Sequence, residues 1–151
     1  MRLRNRCCNA TQRRCNHGGG SPGTAGALHD FDMGFGHLVR EHQQARVLLA
    51  SLVAHGPDET TIESLADLLT RHMADEEENL IPFVRGHLPT DTGPVSVILA
   101  EHDTHREILA TLRRAPDRAL IHRLAGLISS HFAKEEEVIL PFAERLAPGD
   151  A

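Results

Sequence analysis

Four stretches of this chain carry the apolar periodicity of buried helices, and each interrupts its stripe at mid-length with histidine or glutamate. Steps of three and four residues trace the face a helix turns inward. The first stripe runs Phe35, Leu38, His42, Ala45, Leu49, Leu52, and the second runs Ile62, Leu65, Leu69, His72, Glu76, Leu80, Phe83. The third runs Val95, Ile98, His102, His105, Leu109, Leu112, and the fourth runs Ile121, Leu124, Ile128, His131, Glu135, Val138, Phe142. Apolar ends with a polar middle, repeated on every helix, leave few architectures. The four polar segments must meet in one layer, because a buried imidazole or carboxylate is costly unless something pairs with it.

The breaks between stripes support four helices at roughly 30–54, 59–87, 94–114 and 117–146. His55-Gly-Pro-Asp58, Pro89 to Pro94 and Ala115-Pro-Asp117 each place Pro or Gly at a helix boundary. No segment alternates in the manner of a strand. Short connections make neighbours antiparallel, so the expected fold is all-α, an up-down-up-down antiparallel four-helix bundle. The chain also repeats itself. His72 to Phe83 matches His131 to Phe142 at seven of twelve positions, at an offset of 59. Helices one and three match at an offset of 60 through Glu41/Glu101, His42/His102, Arg46/Arg106 and Leu49/Leu109. The bundle therefore reads as a duplicated helical hairpin.

With 151 residues, 40% of them apolar, one domain is expected, a bundle over residues 28–147 with a short tail at 148–151. Residues 1–27 hold five Arg, no acid and a Gly/Ser/Pro stretch, and are expected to be a disordered basic arm. The rest carries 11 basic and 21 acidic residues, a net charge of −10, which argues against a nucleic-acid partner. All three cysteines (Cys7, Cys8, Cys15) lie in the arm, so no disulfide framework holds the body. Their spacing, with His17 nearby, matches no regular zinc finger. No apolar run is long enough to span a membrane, and the N-terminus lacks a secretory apolar stretch; a cytoplasmic location is expected.

A metal supplies what the polar layer needs. His42, His72, His102 and His131 with Glu76 and Glu135 make six candidate ligands, too many for one tetrahedral zinc. They suit two ions sharing two bridging carboxylates, with two His on each. Imidazole and carboxylate without thiolate favour iron, manganese or zinc. His105 also lies on its seam and is a candidate further ligand or hydrogen-bonding neighbour. Glu136, five residues after His131, is the alternative bridging carboxylate. His37, His29, His55, His87 and His122 fall off the seam or at helix ends, and surface positions suffice for them. Pro82 and Pro141 predict a matched bend just beyond the site.

His42, His72-x3-Glu76, His102 and His131-x3-Glu135, with a Pro ten residues after the His of each pair, resemble the hemerythrin-like family, also called the HHE cation-binding domain. The likeness covers about residues 30–146. It implies a non-haem di-iron centre, two irons bridged by the two carboxylates and an oxo or hydroxo group, with manganese or zinc as lesser choices. It also implies a small diatomic or peroxide ligand as partner. Members bind O2, react with NO or peroxide, or sense oxygen or iron; no specific enzymatic reaction or protein partner follows. The chain departs from the family's oxygen carriers in two places. They carry a second His four residues after the third-helix His, where this chain has Arg106, and His-x4-Asp in place of His131-x3-Glu135. The departures favour redox or sensing members over reversible O2 carriage.

Overall fold

A computed structural model describes residues 34–87 and 93–147. The arm at 1–27, with its cysteines and His17, lies outside the described residues, as do His29 and the tail at 148–151. Among the described residues six α-helices form: α1 (Gly36–His55), α2 (Glu59–Asp75), α3 (Ile81–Arg85), α4 (Pro94–Arg114), α5 (Arg118–Lys134) and α6 (Leu140–Leu146). A π-helical turn at Glu76–Leu80 joins α2 to α3, and a second at Glu135–Ile139 joins α5 to α6. The result is four helical arms, with no strand among the described residues. α1 packs beside α2 and α5, and α4 packs beside the same two helices. That closed ring is the expected all-α up-down bundle.

The duplication is visible in the turns. Asp58 caps α2 by accepting the Thr61 amide N–H at 2.8 Å, and Asp117 caps α5 by accepting that of Leu120 at 2.7 Å. Gly56 ends α1 at φ 93°, a left-handed conformation that side chains other than glycine rarely adopt.

The core consists of two apolar clusters. One gathers Leu49, Leu52, Ile62, Leu65, Leu112, Ile121 and Leu124 with their neighbours. The other gathers Phe35, Leu38, Ile81, Val84, Val95, Ile98, Ile139 and Leu140. Among the described residues the buried polar and charged side chains are His42, His72, Glu76, His102, His105, His131 and Glu135, drawn from the middle of the four stripes.

The π turns correct the reading of the second and fourth stripes. The Ile81 N–H bonds to the Glu76 carbonyl, and the Leu140 N–H to that of Glu135, each spanning one residue more than an α-helical bond. Each turn is followed by a proline, Pro82 and Pro141, at the second residue of the next helix. A proline has no N–H to give and crowds the carbonyl four residues back, a strain that a wide turn accommodates. The irregularity therefore begins at the carboxylates themselves, not beyond them. It also advances the buried face by one residue. Val138, expected inside, is 49% exposed, while Ile139 is 5% exposed. Phe83 and Phe142, also expected on the seam, are only half-buried, and Val84 and Ala143 fill the core.

This register has a direct test. Ile139→Ala should cost about 2–5 kcal/mol in denaturant unfolding, whereas Val138→Ala should stay within about 0.5 kcal/mol. Comparable losses at the two positions would place Val138 in the core and contradict this register.

Candidate metal centre

Each helical arm sends an imidazole inward, α4 sends a second at His105, and the two arms with π turns add a carboxylate one turn later. The ligand atoms of His42, His72, Glu76 and Glu135 all lie within 4.8 Å of one another, and so do those of Glu76, His102, His131 and Glu135. The two groups share both carboxylates, and each carboxylate divides its oxygens between them. Glu76 Oε1 is 3.5 Å from His72 Nε2, and its Oε2 is 3.2 Å from His102 Nε2. Glu135 Oε2 is 3.1 Å from His42 Nε2, and its Oε1 is 2.8 Å from His131 Nε2. His42 and His72 bring their Nε2 atoms within 3.2 Å. The six residues expected from the sequence thus stand together, two His to each group.

A ring of four further glutamates surrounds them. His72 Nδ1 bonds Glu41 at 2.9 Å, His131 Nδ1 bonds Glu101 at 2.9 Å, His102 Nδ1 bonds Glu77 at 2.8 Å and His42 Nδ1 bonds Glu136 at 2.8 Å. An ionised carboxylate only accepts, so each Nδ1 is the donor and each ring turns its Nε2 to the centre. Arg46 donates to both oxygens of Glu136, and Arg106 to both oxygens of Glu77. Lys134 donates to Glu101. Burial opposes the charge of Glu77 and Glu101, yet their hydrogen bonds outweigh it and hold both below the ordinary carboxyl range. The Arg46 hydrogen bonds do the same for Glu136.

Sequence reasoning missed this ring. The signal was present in the repeat, because Glu41/Glu101, Arg46/Arg106 and Glu77/Glu136 are identical across the two halves. Glu136, the alternative carboxylate, lies outside both groups: it is half-buried and occupied with His42 and Arg46, while Glu135 is buried at the centre. Arg106, standing where oxygen carriers have a His, clamps the Glu77 that orients His102.

His105 is buried beside the site but belongs to neither group of four. Its ring meets His131 edge-on at 4.8 Å, and its Nδ1 has no partner. Burial, aided by the neighbouring His131 and His102, pushes its pKa down to about 4. His37 is at the surface and paired with Asp75 at 2.6 Å. His55 and His87 each bond a carbonyl one turn back, and His122 is exposed.

The donor set fits cations. Both oxygens of Glu76 and of Glu135, with Nε2 of His102 and His131, are buried and lack a hydrogen-bond partner. Lone pairs crowding one apolar-walled space repel each other unless positive charge enters. A proton on His131 would supply part of it. Burial alone would lower His131, but Glu135 beside it raises it above the usual 6.5. Burial would likewise raise Glu135, and His131 and His42 instead lower it to about 2. Metal ions would replace that proton.

No helix among the described residues is long and apolar enough to cross a membrane. The family described as the hemerythrin HHE cation-binding domain matches residues 31–146, nearly the whole described chain. No curated protein and no solved structure matches.

Proposed function

The chain belongs to the hemerythrin HHE cation-binding family, and from that premise we propose that it is a cytoplasmic non-haem di-iron protein that binds or reacts with O2, NO or peroxide. His42 and His72 would hold one iron, His102 and His131 the other, with Glu76 and Glu135 bridging the pair. When bound, two adjacent irons supply the paired electrons that such ligands take up. The observation that carries the reading is the division of each carboxylate's oxygens between two His pairs in one buried layer. Nitrogen and oxygen donors without thiolate suit iron, with manganese and zinc behind it, and facing helices of a bundle are where paired carboxylate-bridged metals sit. The outer glutamates hold the imidazoles in the ligating tautomer. The two apolar clusters exclude bulk water above and below.

The test is metal analysis with an optical spectrum, before and after exposure to O2, NO and peroxide. Two irons per chain and ligand-dependent bands support the proposal; iron-replete protein without metal contradicts it. The pH dependence has a fixed sign. His131 holds its proton to a higher pH than a free imidazole, and a ligand must be deprotonated. Metal affinity should therefore fall as pH drops from about 8 to 5, with protons released on loading. Affinity flat across that range would contradict it.

A second reading draws on the partnerless buried atoms. If the metal-free bundle is strained by them, metal loss would unfold a surface that a partner reads, making the chain an iron- or oxygen-sensing module. A large gap in thermal stability between metal-free and loaded protein favours sensing. A stable metal-free bundle with ligand-dependent spectra favours ligand chemistry.

A further inference from the structure

The two halves of the site are not copies of each other. The duplication pairs Ala45 with His105 and Met73 with Phe132, and all four residues are buried. Phe132 lies flat against His42, ring centroids 3.8 Å apart and planes 16° from parallel. It also meets His72 edge-on at 5.7 Å, and the Arg46 guanidinium carbon stands 5.3 Å from its centroid. Hydrocarbon therefore covers the His42–His72 side. The other side is different. There His105 stands edge-on to His131, 1% exposed, with a ring nitrogen that nothing in the protein satisfies.

We propose that the exogenous ligand binds on the His102–His131 side, that it is a small ligand bearing lone pairs, of the azide or hydroperoxide class, and that the His105 ring donates a hydrogen bond to it. The inference rests on the two-iron reading above and adds to it a side and a positioning residue. A neutral imidazole has one proton to place, and an acceptor arriving beside Nδ1 selects the tautomer that carries it there. The hydrogen bond strengthens with negative charge on the ligand, so anionic ligands gain most from it. His105 is in this account a positioning residue, not a metal ligand.

The experiment uses iron-loaded full-length protein with azide as the probe, comparing wild type with His105→Leu and His105→Gln. Iron content is measured first. Wild type with fewer than two irons per chain defeats the di-iron reading itself, before azide is added. With two irons present, azide affinity should fall about tenfold or more in His105→Leu and recover most of that loss in His105→Gln, which keeps an N–H. The azide stretching band of wild type should shift on transfer to deuterated water, a readout that needs no variant to fold. Unchanged azide affinity in His105→Leu, or no isotope shift in wild type, overturns the proposal. So does loss of iron from His105→Leu, which would make His105 a ligand.

Discussion

Replacing Glu76 and Glu135 together with leucine should yield a folded chain that takes up no iron and gains no stability from it. In the metal-free protein these two residues bury four carboxylate oxygens without hydrogen-bond partners. Exchanging buried charges for apolar groups of similar volume is often neutral or stabilising by about 1–4 kcal/mol, so the metal-free variant should unfold no earlier than metal-free wild type. Wild type, by contrast, should rise on loading, by about 2.7 kcal/mol for each site at a metal concentration a hundredfold above its Kd. Thermal unfolding with and without ferrous iron, beside elemental analysis, reads both effects. Undiminished iron in the double variant would remove the carboxylates from the site.

The outer glutamates should matter almost as much, although none reaches the centre. Glu77→Ala or Glu136→Ala frees an imidazole to rotate and leaves Arg106 or Arg46 without its carboxylate partner. Loss of such a partner typically costs about 10–100-fold in metal affinity. Glu78→Ala and Glu137→Ala come from the same acidic runs but are exposed, and should leave affinity unchanged. Isothermal titration with a divalent metal separates the two classes. Equal effects at all four positions would mean that the runs act only through bulk negative charge.

What could be read from the sequence depended on periodicity. The stripes identified the five buried histidines and two buried carboxylates found among the described residues, because an α-helix keeps strict register as far as those residues. The same rule failed at Val138, where the π turn inserts a residue into the count. Nothing in hydrophobic spacing announces a π turn; only the matched prolines hinted at irregularity. The glutamate ring was hidden for another reason. Glu41 and Glu101 sit next to a candidate ligand in sequence yet serve the His of a neighbouring helix, His72 and His131, a pairing that only the packed bundle reveals. The inequality of the halves was likewise present as letters, Ala45 against His105 and Met73 against Phe132. It took on meaning when Phe132 was found stacked on His42.

The shared carboxylates are the centre of the account, and magnetic measurement on the oxidised, iron-loaded protein tests them most directly. Two irons bridged by Glu76 and Glu135 should couple antiferromagnetically, giving two ferric ions per chain, a Mössbauer quadrupole doublet without magnetic splitting at low temperature, and no high-spin ferric resonance. One iron per chain, or a resonance from magnetically isolated ferric ions, would contradict it.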